Sequence, residues 1–128
     1  MTRLDHVALW VSDLERMRDF YVSLLGATSG SLYENPQTGF RSYFVSFSDG
    51  VRIELMSQGS RSEVALSVPA LGYAHIALAV GSRAAVDETI ERLRSRGVRV
   101  LDEPRTTGDG YYEAVVEDPE GNKIELVE

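Results

Sequence analysis

The two halves of this chain of 128 residues repeat each other. Each half opens on a similar segment, which is LDHVALWV at 4–11 and YAHIALAV at 73–80. Each half also closes on a similar segment, which is RIELM at 52–56 and KIELV at 123–127. A repeat unit this long, present only twice, is not a solenoid, so the sequence predicts two matching modules.

Hydrophobic periodicity and capping signals predict the element order βαβββ in both modules. Ser12 and Glu15 have the spacing of a capping box before the first helix, and Ser82 precedes the second. Gly26 and Gly97 end the two helices. The predicted elements of the first module are strand 4–11, helix 13–25 and strands 27–34, 40–47 and 51–57. Those of the second are strand 73–80, helix 83–96, a strand that begins with 98–101, and strands 111–117 and 122–127.

The predicted fold class is α+β, with two βαβββ modules whose sheets form a cup. We expect one domain over 1–128, with module one at about 1–57, a linker at about 58–72 and module two at about 73–128. A helix covers one face of each sheet in this scheme. The other face is left to curl around a ligand.

Strand alternation turns four polar side chains to that open face. In each opening strand the alternate apolar residues pack under the helix, which turns His6 and His75 the other way. In each closing strand the isoleucine and leucine flanking Glu54 or Glu125 pack under the helix. The repeat therefore predicts a shared centre of two imidazoles and two carboxylates, either within one chain or across a dimer.

Such a set of side chains is suited to one divalent metal ion. Two inward glutamates would repel each other, and a cation between them offsets that repulsion. The chain has no cysteine, so a thiolate site is excluded. Nitrogen and oxygen ligands suit Ni²⁺, Zn²⁺, Co²⁺, Fe²⁺ or Mn²⁺, and we expect Ni²⁺ or Zn²⁺ first.

Charge and hydropathy exclude other classes of partner. The formal net charge of −7 argues against nucleic-acid binding, which needs a basic surface. No apolar run is long enough to cross a bilayer, and the first residues have no apolar signal core. We therefore expect a cytoplasmic protein that acts on a small molecule.

Four segments carry a resemblance to a known family. They are DHVAL at 5–9, DFYVSLLG at 19–26, GYAHIA at 72–77 and EDPEGNKIEL at 117–126. With these segments the chain resembles the glyoxalase, bleomycin-resistance and extradiol-dioxygenase group, the vicinal oxygen chelate superfamily. The resemblance covers essentially the whole chain and is greatest to the lactoylglutathione lyases.

The resemblance implies an enzyme, commonly a homodimer, with a metal ion at the centre of the cup. The implied reaction moves a proton through a metal-stabilised enediolate on a small hydroxy-carbonyl or thiohemiacetal substrate. Glu125 is the implied base, and Glu54 is its partner or a second base. Because the lyases use four ligands, the set of His6, Glu54, His75 and Glu125 favours a lyase or isomerase.

Two alternatives follow from other branches of the same family. Bleomycin-binding members lack the metal, which leaves a non-catalytic small-molecule binding protein as the second reading. Extradiol dioxygenases use two histidines and one glutamate, so Glu54 makes that reading weaker.

The sequence predicts the type of reaction but leaves the identity of the substrate open. Trp10 stands where the lyases have an arginine that helps to hold a glutathione carboxylate. An indole cannot pair with a carboxylate in that way but can stack on a flat ligand, so glutathione and another thiol both stay open. The residues predicted to contact substrate are Trp10, Arg41, Arg52, Met56, Arg105 and Tyr111.

Overall fold

A computed structural model describes residues 2–59 and 71–128 of the chain. The chain divides into two compact units, Met1–Val64 and Ala65–Glu128. Most of the predicted linker at 58–72 lies outside the described residues. Neither helix in the described ranges has the length and apolar content needed to span a membrane.

The first unit, over its described residues, has one helix and one mixed sheet. Its elements are β1 (His6–Trp10), α1 (Leu14–Ser23), β2 (Thr28–Ser29), β3 (Tyr33–Glu34), β4 (Arg41–Ser46) and β5 (Arg52–Ser57). The sheet order is β1-β5-β4-β2, and β3 also pairs with β4. Strand β1 runs parallel to β5, whereas the other pairs are antiparallel.

The second unit has the predicted βαβββ order. Its elements are β6 (Ile76–Ala79), α2 (Arg83–Ser95), β7 (Val100–Thr106), β8 (Tyr112–Glu117) and β9 (Lys123–Val127). The sheet order is β6-β9-β8-β7, with β6 parallel to β9. The α+β class is therefore confirmed, and in both units the closing strand lies beside the opening one. The predicted cup stays a prediction.

The start of helix α1 corrects one predicted cap. The N-cap is Asp13, whose side chain accepts a hydrogen bond from the backbone N–H of Arg16, and not the predicted Ser12. The reason lies in β1, because the N–H of Val11 still donates to the carbonyl of Met56 at 2.8 Å. The chain is thus held in strand geometry up to Val11, and the helix begins later.

Helix α2 begins at the predicted residue, Arg83, and ends at Ser95, one residue before the predicted end at 96. Ser82 is its N-cap and accepts from the N–H of Ala85 at 3.1 Å. Gly97 follows its last turn with φ of 81°, a conformation in which a side chain would be strained.

Three predicted strands have different bounds in the structure. The predicted strand at 73–80 is Ile76–Ala79, so His75 directly precedes β6. The predicted strand at 27–34 is two short strands, because Ser29 pairs with Val45 and Tyr33 with Ser42. The three residues between these two pairs on one side therefore face two residues of β4, and the extra residue interrupts the pairing. The strand predicted to begin at 98–101 extends to Thr106, so Arg105 belongs to β7.

Each helix packs on one face of its own sheet. In the first unit Met17 and Tyr21 are fully buried, as are Val45 and Leu55 of the sheet. The equivalent core of the second unit consists of residues with 0 or 1% exposure: Val86, Ile90, Leu93, Ala114, Val116, Ile124 and Leu126. Alternation along the strands then turns the intervening side chains to the face away from the helix.

Candidate active site

In the first unit, His6 and Glu54 come together on the sheet face that is opposite the helix. Parallel pairing places Ala8 of β1 beside Glu54 of β5. Because Ala8 is small, the imidazole and the carboxylate approach each other, and His6 Nε2 lies 3.8 Å from Glu54 Oε1. Glu54 keeps 17% of its side-chain exposure and His6 keeps 38%, so both remain accessible from that face.

Asp5 orients the His6 ring from the other side. His6 Nδ1 donates to Asp5 Oδ2 at 2.8 Å, which leaves Nε2 free of that proton and directed toward Glu54. Arg52 donates to the same carboxylate and stacks on the ring of Phe44, 4.5 Å from its centre. The hydrogen bonds from His6 and Arg52 hold the pKa of Asp5 below its usual value.

The second unit repeats the pair with a shorter contact. Ala77 of β6 lies beside Glu125 of β9, and His75 Nε2 lies 3.2 Å from Glu125 Oε2. Glu125 keeps 21% of its side-chain exposure. The residue before His75 is Ala74, so the second pair has no counterpart of the Asp5 contact at that position.

Glu113 joins Glu125 on the same sheet face. Val115 of β8 pairs with Glu125, and Glu113 lies two residues earlier on the same side of the strand. Burial, and then a hydrogen bond to the Glu125 carboxyl group, raise the pKa of Glu113 above its usual value. Arg105 is the cross-strand neighbour of Glu113, and its charge acts in the opposite direction.

The donor atoms in each pair fit a divalent metal ion. Ligand nitrogen and oxygen atoms lie about 2.1 Å from such an ion, so adjacent ligands are roughly 3 Å apart. The 3.2 Å separation of His75 from Glu125 matches this spacing, and the 3.8 Å separation of His6 from Glu54 is slightly wider. The structure arranges no group of three or more potential ligands for a metal within residues 2–59 and 71–128. The four-ligand centre stays a prediction.

Three of the predicted substrate contacts share the face of His6 and Glu54. Arg52 lies beside His6 in the pairing of β1 with β5. Met56 follows Glu54 by two residues and pairs with Trp10 at the far end of β1. Trp10 is 46% exposed, which leaves its indole open to a ligand.

The other three predicted contacts have different surroundings. Arg41 belongs to the face that packs on α1, where it lies 3.6 Å from Glu15. It is therefore on the opposite face of the sheet from His6 and Glu54. Arg105 is a strand residue on the Glu125 face, and it also lies 3.8 Å from Asp102. Tyr111 is 56% exposed at the turn before β8.

Two residues of this site were not among the predicted ones. Asp5 directly precedes His6, and only the folded contact shows that its carboxylate reaches the ring. Glu113 could have been found from the hairpin at 118–121. Counting outward from that turn places Val115 opposite Glu125 and therefore Glu113 on the same face.

Comparison with known proteins defines the class to which this arrangement belongs. Residues 3–126 match the model of the Glyoxalase/Bleomycin resistance protein/Dioxygenase superfamily. Since this match covers nearly the whole sequence, the chain belongs to that superfamily, and the predicted resemblance is confirmed.

Within this superfamily, the chain is similar to several lactoylglutathione lyases. The chain is 36% identical over 130 residues to the lactoylglutathione lyase of Escherichia coli O157:H7, covering 98% of this chain and 92% of that protein. It is 32% identical over 124 residues to the lactoylglutathione lyase of Haemophilus influenzae, covering 96% and 90%. The structure of the trypanothione-dependent glyoxalase I of Leishmania major matches with a TM-score of 0.79 at 25% identity, covering 99% and 86%. A lactoylglutathione lyase-like enzyme is thus supported.

Proposed function

We propose that this chain is a metal-dependent glyoxalase-like lyase that moves a proton between neighbouring carbons of a small hydroxy-carbonyl or thiohemiacetal substrate. The supporting observation is the paired geometry. In each unit, a histidine nitrogen faces a glutamate oxygen on the open sheet face, at 3.8 Å and 3.2 Å. The names of the relatives support the lyase class of reaction.

We propose His6, Glu54, His75 and Glu125 as the metal ligands. A divalent ion held by them would supply Lewis-acid stabilisation of the negative charge on an enediolate. Asp5 supports the proposal because it fixes the ring of His6 with Nε2 available for coordination. Ni²⁺ and Zn²⁺ are the first ions to test, before Co²⁺, Mn²⁺ and Fe²⁺.

Glu125 is the proposed base. Its carboxylate takes the proton from the carbon that bears the hydroxyl group, and the electron pair of that bond moves into the enediolate. The same carboxyl group then gives that proton to the former carbonyl carbon, while the hydroxyl proton passes to the former carbonyl oxygen. A carbonyl group forms at the first carbon and a hydroxyl group at the second, so the reaction is an isomerisation without loss of atoms. Glu54 is the proposed partner or second base, and the homodimer remains part of the proposal.

The direct test is turnover of methylglyoxal mixed with glutathione by protein loaded with Ni²⁺ or Zn²⁺. Glu125→Gln should lower kcat about 10²–10⁴-fold, since general base catalysis contributes that much. Glu88→Gln, at an exposed position of α2, is the matched control and should keep kcat. If no thiol adduct and no free 2-hydroxy-carbonyl compound is turned over, the proposal is wrong.

A second candidate function is non-catalytic binding of a small molecule. The exposed Trp10, in ring contact with Phe40, favours it, because an apolar aromatic surface can hold a ligand without chemistry. Protein that binds no divalent ion, and in which His6→Gln and Glu125→Gln change no ligand affinity, would support this function. Oxygen uptake with catechols would instead support a dioxygenase.

A further inference from the structure

The open sheet face of the first unit is polar at one end and aromatic at the other. The rings of Trp10 and Phe40 are nearly perpendicular, with centres 6.2 Å apart, and the centre of the Tyr33 ring lies 6.1 Å from that of Phe40. Trp10 and Tyr33 are 46% and 56% exposed. We name Trp10, Phe40 and Tyr33 the aromatic shelf.

The aromatic shelf lies on the same face as His6 and Glu54. Tyr33 pairs with Ser42, which pairs with Met56, and Met56 follows Glu54 by two residues along β5. Trp10 follows His6 by four residues along β1, so both side chains lie on one side of that strand. A strand rises roughly 3.3 Å per residue, which puts the shelf about 13 Å from the imidazole.

The residue between the two ends of this face on β1 is small and exposed. Ala8 stands between His6 and Trp10, and its methyl group leaves no side chain to separate a ligand head from a ligand tail. Met56 lies beside Trp10 and adds a flexible apolar contact. An elongated small molecule lying along β1 would have His6 at one end and Trp10 at the other.

From this arrangement we infer that the aromatic shelf binds a flat apolar group on the substrate, at the end away from the reacting carbons. The inference rests on the proposed function for the position of the reacting end. An apolar distal group is expected because Trp10, Phe40 and Tyr33 carry no positive charge that would bind a distal carboxylate. The substrate class is therefore an elongated hydroxy-carbonyl or thiol adduct with an aromatic tail.

Three probes separate the head of such a ligand from its tail. Acetohydroxamate offers two neighbouring oxygens alone, 4-phenylbutan-1-ol offers the aromatic tail alone, and 4-phenylbutanohydroxamate offers both. Trp10 is the only tryptophan of the chain, so its fluorescence reports on the shelf directly. Affinities are measured by calorimetry with Ni²⁺-loaded protein, and folding of each variant is checked by circular dichroism.

The expected result is that 4-phenylbutanohydroxamate binds at least about tenfold tighter than acetohydroxamate and shifts the Trp10 emission. Trp10→Ala and Tyr33→Ala should each reduce that advantage without changing the affinity for acetohydroxamate. Leu71→Ala removes an exposed apolar side chain outside the shelf and should leave the advantage intact.

Other results would overturn the inference or the proposed function separately. Equal affinity for both hydroxamates, with no effect of 4-phenylbutan-1-ol on Trp10 emission, overturns the inference alone. A Trp10→Ala protein with an altered oligomeric state and unchanged affinities also overturns it, because the shelf is then an interface between copies. Emission that responds to the alcohol in protein that binds neither hydroxamate supports the shelf and contradicts the proposed metal chemistry.

Discussion

At the scale of single residues, Asp5 restrains the proposed ligand His6 through a contact that the second half of the chain does not repeat. Its carboxylate accepts from His6 Nδ1 and also from Arg52, so it restrains a histidine on one strand and an arginine on the next. Orientation of a metal-binding histidine through its second nitrogen commonly contributes tenfold or more to metal affinity. The second unit has Ala74 at the matching position, so the two histidines are restrained unequally.

We predict that Asp5→Asn weakens Ni²⁺ binding about 10–100-fold, because the amide no longer accepts as a charged group from His6. Calorimetric titration of metal-free protein measures this directly. Asp19→Asn is the matched control, since Asp19 is exposed on α1 and lies 3.6 Å from Arg18, outside the site. Equal affinities for the Asp5 and Asp19 variants would show that Asp5 does not orient a ligand.

At the scale of the elements, Tyr43 ties helix α1 to the sheet beneath it. Its hydroxyl donates to Glu15 Oε1 at 2.9 Å, and Arg18 lies 4.9 Å above its ring. The hydrogen bond to the Glu15 carboxylate raises the pKa of Tyr43 above its usual value. Because the pKa is raised, this contact stabilises the fold at every pH below the pKa that Tyr43 has in the unfolded chain. The stabilisation is lost as the pH rises through the pKa of Tyr43 in the folded chain.

The predicted consequence is a pH-dependent coupling between Tyr43 and Glu15. At pH 7, Tyr43→Phe and Glu15→Gln should each lower the urea midpoint, and the double variant should lose less than the sum of both. The coupling should disappear as the pH rises through the pKa of folded Tyr43, which is raised above the usual value of about 10. Additive losses at pH 7, or a coupling that persists at high pH, would contradict the assignment.

The ends of helix α2 were predicted to within one residue, because strand pairing did not override its local capping residues. Ser82 and Gly97 fixed the second helix because a good cap and a good terminator stand at its ends. The predicted cap of the first helix, Ser12, was wrong, because the pairing of Val11 with Met56 extends the strand and Asp13 caps the helix. A long-range backbone hydrogen bond of this kind cannot be seen in the local sequence.

Strand pairing explains the remaining errors at this scale. Arg105 lies beyond the residues predicted to begin this strand, 98–101, yet it pairs with Glu113 and belongs to β7. The split between β2 and β3 arises because Ser29 and Tyr33 are four positions apart, whereas their partners on β4 are three positions apart. Register between strands is set by the whole sheet, so neither result follows from residue type alone.

At the scale of the whole molecule, the repeat was the most informative feature of the sequence. It predicted that the closing segments follow the same plan, and both closing strands do lie parallel to their opening strands. Alternation then predicted that a histidine and a glutamate would share one face in each half, which the two short contacts bear out. The contacts of Asp5 and Glu113 depend on side-chain conformation and were not predictable in this way.

The central claim is that the two histidine–glutamate pairs bind a divalent metal. It is tested most directly by calorimetric titration of Ni²⁺ into metal-free protein and into four variants: His6→Gln, Glu54→Gln, His75→Gln and Glu125→Gln. The account predicts a saturable site in the unaltered chain, at least about tenfold weaker in each of the four variants. Glu88→Gln should bind as the unaltered chain does. Unaltered protein that takes up no ion, or four variants that bind as tightly as it does, would contradict the claim.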